Sequence, residues 1–183
     1  PTTFDSWARI LKQVKGSVLI VYANTELQKT NLNNEIIERG IASERLIFGK
    51  RLNRPEYLAR YKVADLFLDT QPYNAGTTAS DALKMGLPML TLKGKSYQAR
   101  MGASIVNAVN LPELITNTPE EYEALAIELG NNPDKMKAIK EKLQANLSTA
   151  PLFNTKLFTK NLESAYTQMY ERHHKGLEPD HIY

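Results

Sequence analysis

Two stretches carry residues whose types and spacing suit chemistry. In "YNAGTTASDALKMGLP", residues 73–88, a glycine and two consecutive threonines follow the apolar run "ADLFLDT" at the point where a helical pattern begins. The hydroxyls of Thr77 and Thr78 and the unpaired N–H groups of a first helical turn then converge on one spot, which the helix dipole makes favourable for an anion. A phosphate or diphosphate fits. Gly76 lets the backbone turn tightly and come close to such a ligand. The plainer reading is that Thr78 and Asp81, three residues apart, form a capping box of the kind any helix can use. Both readings stand, because a capped helix end still binds.

The second stretch is "IFGKRLNRPEYLARY". Asn53 and Glu56 make another capping box, and Pro55 sits in the first turn. Arg54, Tyr57 and Arg60 lie three apart along one helix ridge. Two guanidiniums and an aromatic ring can stack on a base and donate to sugar and phosphate oxygens. The alternative is an exposed helix face, where most Arg and Tyr residues go. Position favours the functional reading, because both stretches begin just past a strand.

The elements that must hold these residues alternate along the chain. "TTFDSWARILKQV" spaces Phe4, Trp7, Ala8, Leu11 and Val14 as a helix, with Thr3 or Asp5 as cap and Gly16 as stop. "SVLIVYAN" reads as a strand buried on both faces of a parallel sheet. A helix ending at Gly40, the strand "RLIFGK", the helix "RPEYLARYKVA", the strand "DLFLDT", the helix "TTASDALKMG" and the strand "PMLTLKG" follow. Helices are then expected at about 97–109, 119–130 and 133–146. This cadence predicts an α/β fold, a Rossmann-like parallel sheet flanked by helices, in which ligands bind at the carboxyl ends of the strands. Phe158, Leu162, Tyr166 and Met169 predict a long amphipathic C-terminal helix that packs on another surface.

Composition narrows the function. The 183 residues make a single domain, 1–183, with 42% hydrophobic residues and no run apolar enough to cross a bilayer. A net charge of +3 is spread among interspersed acids and bases, so neither a nucleic acid nor a membrane is expected as partner. The absence of cysteine excludes disulfides and thiol chemistry and is consistent with the cytoplasm. Asp65 and Asp69 do not form the closely spaced acidic pair that holds a divalent ion, and His173, His174 and His181 read as surface residues, so no metal is expected. No Gly-x-Gly-x-x-Gly, Walker loop or nucleophile elbow is present. The chain opens on Pro1, and a longer polypeptide is expected.

"ADLFLDTQPYNAGTTASDALKMGLPMLTLKG", then "RMGAS", then "APLFNTKLFTKNLESAYTQMYERHHKGLEPDHI" together resemble the C-terminal half of the catalytic region of the O-GlcNAc transferase family. "FDSWARILKQVKGSVLIVY" and "RLIFGKRLNRPEYLARYKVADLFLDT" fit the same pattern, so the resemblance runs in order through nearly the whole chain. It implies the C-terminal half of a glycosyltransferase-B fold, in which two Rossmann-like domains face each other and the second binds the nucleotide sugar. An upstream catalytic half and tetratricopeptide repeats would belong to the same polypeptide.

The resemblance further implies a role for each residue of the two stretches. The backbone at about Leu52 would read the base edge, Arg54 would meet the ribose or phosphate, and Tyr57 and Arg60 would flank the base. Thr77 and Thr78 would bind the diphosphate and Asp81 the ribose hydroxyls, with Gly76 shaping the loop. Gly76 and Tyr57 stand where the animal enzymes have histidine. The expected function is transfer of GlcNAc from UDP-GlcNAc to Ser or Thr hydroxyls of a protein or peptide acceptor, inverting and without metal or other cofactor. The family's phosphate-binding lysine and general-base candidates lie upstream of Pro1, and no catalytic residue is assigned. A glucosyl- or fucosyltransferase, a 2-epimerase and a non-catalytic nucleotide-binding module are the other readings.

Overall fold

The expected alternation of helix and strand is what forms. The computed structural model describes residues 2–182. In chain order its elements are α1 (Thr2–Gln13), β1 (Leu19–Tyr22), α2 (Glu26–Glu38), β2 (Leu46–Gly49), α3 (Arg54–Arg60), β3 (Phe67–Leu68), α4 (Thr77–Lys84), β4 (Met89–Leu92), α5 (Met101–Asn107), β5 (Ile115–Thr116), α6 (Pro119–Asn131), α7 (Pro133–Asn146) and α8 (Thr155–His174). Side chains start several helices, Asn53 among them as expected. Thr25 and Gln28 close a reciprocal capping box on α2, and Asn53, Thr118 and Asn132 each accept a backbone N–H at the starts of α3, α6 and α7. The short strand β5, behind a 3-10 turn at Pro112–Leu114, was not legible in the sequence, because two residues are too few to show a period.

All strand pairs are parallel, in two hydrogen-bonded groups. β1 pairs with β2 from Leu19↔Leu46 to Tyr22↔Gly49. β4 lies between β3 and β5, with Phe67↔Met89 and Thr91↔Ile115 in register. Around the second group Leu83, Met89, Val106, Leu111, Leu114, Leu129 and Leu143 form a buried core, fed by α4, α5, α6 and α7. Around the first group Ala8, Leu11, Ile36, Ile41 and Leu46 pack between α1, α2 and the strands. α1 serves both, because its Ile10, with Val14 just past its end, turns the other way, onto Leu90, Tyr122 and Ala126. The α1–α6 approach is close enough that a Cβ on Gly130 would meet the Val14 methyls at 2.7 and 2.8 Å.

One expectation is corrected. β1 is buried on one face only: Ile20 is 39% and Tyr22 53% exposed, and their neighbour Ile47 on β2 is 44% exposed. α1 and α2 both lie on the opposite face, with Leu19 and Val21, which leaves this one open. The amphipathic stripe of α8 is uncovered too, since none of its residues is buried and its main contact is the adjoining turn at Pro151–Phe153.

The anchor between α1 and α6 is the two-pronged pair of Arg9 Nε and Nη2 with Glu123, at 2.7 and 2.6 Å. Donation from Arg9 holds the Glu123 carboxyl below its ordinary range. A lowered folded pKa stabilises the fold above the unfolded pKa and loses that effect as pH falls through the folded value. Arg9 is 56% exposed at its side chain, so solvent limits the gain to about 1 kcal/mol or less. Glu123→Gln should therefore lower the melting temperature at pH 7, and the gap from the unaltered chain should close as the pH drops below about 4; melting curves across pH test this.

Candidate functional site

The loop from Thr70 to Gly76 leaves β3 and is held from beneath by two buried polar side chains. Asp69 is 3% exposed. One of its oxygens accepts the N–H groups of Thr70 and Ala75 at 2.9 and 2.8 Å, and the other accepts the Thr91 hydroxyl at 2.7 Å. Burial pushes its carboxyl above the ordinary range, against the opposing pull of these three donors. Asn74, fully buried, donates to Thr70 O at 3.0 Å and accepts the Gly102 N–H at 3.2 Å. Gly102 has no room for a side chain, because a Cβ there would overlap Asp69 Oδ2 and Thr91 Oγ1. The buried Tyr122 hydroxyl donates to Asp69 O at 3.0 Å, Gln71 donates to Leu92 O, and the Gln71–Pro72 bond is cis.

The loop delivers the start of α4 to the surface. The helix begins at Thr77, as read from the sequence, with Gly76 as the preceding residue. The capping box does not form: no side chain caps this end, and Asp81 is turned elsewhere. The Thr77 and Thr78 side chains are exposed, and their hydroxyls and backbone N–H groups have no hydrogen-bond partner among the described residues. Gly76 lies against Met101, so that a Cβ there would come within 2.8 Å of Met101 Sδ and displace that flexible side chain. Met101 lines a shallow pocket of ≈ 240 Å³ with Tyr97, Arg100, Ser104 and Ile105.

The second stretch meets the first. Arg54, the first residue of α3, donates from Nη1 and Nη2 to the two oxygens of Asp81 at 2.8 and 2.7 Å. Asp81 has an 11% exposed side chain and Arg54 a 60% exposed one, so the pair is rooted in α4 and open to solvent at the guanidinium. The Tyr57 ring is half-buried and in reach of two cations, with Arg54 at 5.4 Å and Arg60 at 5.5 Å from its centroid. Tyr57 and Tyr61 share a hydroxyl hydrogen bond of 2.6 Å, and burial is the larger cause of a raised Tyr61 phenol pKa. Arg60 also donates to Lys50 O at 3.2 Å. Tyr57 and Arg60 are thus packed on each other. Leu52 lies half-buried in the segment before α3, and its backbone N–H and C=O have no partner among the described residues.

Leu52, Arg54, Tyr57, Arg60, Gly76, Thr77, Thr78 and Asp81 thus follow the carboxyl ends of β2 and β3 in sequence, and the Arg54–Asp81 pair joins the two stretches. Asp69, Asn74, Thr91, Gly102 and Met101 were not assigned to the site. For Asp69 and Asn74 a signal existed in "DTQPYN", where turn-forming Asp and Asn bracket a proline. For Thr91 and Gly102 none did. Asp65, the other half of the weighed acidic pair, is exposed and bound to Lys140 at 2.7 Å.

A family model, glycosyl transferase family 41, matches residues 1–162. The chain belongs to this family. It is similar to the UDP-N-acetylglucosamine–peptide N-acetylglucosaminyltransferase of Caenorhabditis elegans, 31% identical over all of this chain but only 16% of the relative's length. A probable enzyme of the same name from Arabidopsis thaliana, SEC, is 33% identical, again over the full chain and 19% of its own length. Among solved structures, a mutant O-GlcNAc transferase of Thermobaculum terrenum superposes with a TM-score of 0.87 at 32% identity, over 93% of this chain and 33% of that one. This family 41 chain thus spans between 16% and 33% of the length of these relatives.

The Arg54–Asp81 pair ties α3 to α4, and its strength is measurable. Solvent at Arg54 reduces what two charge-assisted hydrogen bonds give, leaving a small net coupling. A double-mutant cycle with Arg54→Ala and Asp81→Ala, read by urea denaturation, should show this small positive coupling. Additive losses would mean that the pair contributes nothing to the fold.

Proposed function

We propose that this chain is the donor-binding half of a metal-independent, inverting protein O-glycosyltransferase that moves GlcNAc from UDP-GlcNAc to Ser or Thr hydroxyls. The observation that carries this reading is the bidentate Arg54–Asp81 pair, because it brings two strand-ends to one place beside the uncapped start of α4. Asp81 keeps a second lone pair on each oxygen, so ribose hydroxyls can join the pair without breaking it. The free backbone at Leu52 offers both a donor and an acceptor to a base edge. Thr77 and Thr78 present hydroxyls and N–H groups to a diphosphate.

The chemistry assigned to this half is electrostatic. As the glycosidic bond breaks, negative charge grows on the leaving diphosphate, and oriented N–H groups stabilise it without reorganising. Family membership and the names of the relatives support the donor and the acceptor class. The acceptor site, the general base and the repeats are assigned to an upstream part of the same polypeptide, as the greater length of the relatives supports. A cysteine-free chain suits the cytoplasm, and among the described residues no helix is long and apolar enough to cross a membrane.

Calorimetric titration should show weak UDP binding that is unchanged by EDTA. Binding abolished by the chelator would overturn the metal-free reading, and no binding at all would overturn the donor site. Thr77→Val with Thr78→Val should weaken UDP binding by about 1 to 3 kcal/mol, the scale for hydrogen bonds to a charged group. The melting temperature should barely move, because neither hydroxyl caps the helix. Undiminished affinity in the folded double variant would take the hydroxyls out of the site.

A further inference from the structure

We propose that Asp69 and Asn74 are positioning residues for the anion site: they fix the course of the chain from Thr70 to Gly76, so that the first N–H groups of α4 are aimed before a ligand arrives. The inference rests on the donor-site reading above.

Burying a carboxyl and an amide together costs solvation and is tolerated only where their hydrogen bonds are made. Here every side-chain partner lies in the loop or in the elements that wall it. Asp69 reaches forward to Thr70 N and Ala75 N and sideways to Thr91 on β4. Asn74 reaches back to Thr70 O and across to Gly102 N on α5, while its own N–H donates to Gln98 O at 3.2 Å. Ala75, whose N–H Asp69 holds, is two residues before Thr77, so this grip sets the position of Gly76 and the first helical turn. The outward side of the same loop is left to solvent, with Tyr73 66% exposed and the Thr77 and Thr78 hydroxyls without a partner among the described residues. A loop fixed on its inner side and open on its outer side is ordered before binding, and a ligand need not supply that ordering.

The requirement is for acceptors rather than for charge, which separates positioning from bulk stability. Asp69→Ala removes the grip on Ala75. Asp69→Asn keeps an oxygen for the Thr70 and Ala75 N–H groups and turns its NH2 toward Thr91 Oγ. Thr91→Val removes only the bond on the sheet side and leaves both loop bonds in place. UDP titration, thermal melting and amide hydrogen exchange are measured on this chain and the three variants, at a temperature where all are folded. Asp69→Ala should weaken UDP binding by about tenfold or more and speed exchange at Ala75, whereas Asp69→Asn should stay within about threefold of the unaltered chain. Thr91→Val should lower the melting temperature yet bind UDP within about twofold. If Asp69→Ala does not fold, Asn74→Ala takes its place in the same comparison. Unchanged UDP affinity in a folded Asp69→Ala, or equal losses in Asp69→Ala and Thr91→Val, overturns the positioning role while the donor site stands. An unaltered chain that binds no UDP overturns the donor site and this role with it.

Discussion

The burial of one carboxyl at the end of β3 constrains much of what surrounds it. Asp69 cannot stay inside without donors to its oxygens, so the chain that follows must curl back to bring Ala75 N within 2.8 Å, and β4 must offer a hydroxyl at Thr91. Space is constrained as well, because α5 must come so close that position 102 admits only glycine. Tyr122 of α6 closes the far side through its hydroxyl. A single polar residue thereby links β3, β4, α5 and α6, and the loop that emerges has little freedom in where it starts α4.

The same geometry accounts for which parts of the molecule could be read in advance. Helix starts were legible where a side chain acts on its own helix, as Asn53 does on α3, because that signal is local. The strands before the two candidate stretches were legible as short apolar runs, and parallel strands place their ends on one edge. The meeting of Arg54 with Asp81 was legible only as the expectation that both strand-ends share a ligand, and the direct pairing of the two side chains is a tertiary fact. Local pattern misled at Thr78 and Asp81, where the spacing of a capping box is present and the ion pair with Arg54 takes the carboxylate instead. Gly102 shows the limit, since nothing near it in sequence announces that a carboxylate lies against its Cα.

The open faces have a related cause. An apolar run such as "SVLIVY" states that a strand is β-prone, yet not how many of its faces are covered. Ile20 and Tyr22 are exposed because α1 and α2 lie on the same side. The stripe on α8 is likewise a true periodicity whose cover does not come from the described chain. Family 41 relatives are several times longer than this chain, so intramolecular periodicity and intramolecular burial need not coincide here.

The placement of α1 has a consequence for how the molecule comes apart. Ala8 and Leu11 belong to one core and Ile10 and Val14 to the other, so the two strand groups share a helix without sharing a ladder of backbone hydrogen bonds. Detaching α1 uncovers apolar surface on both sides at once, which couples their opening into one cooperative unit. The loop from Thr70 to Gly76 and the helix α3, one beside each group, consequently keep or lose their relative register together.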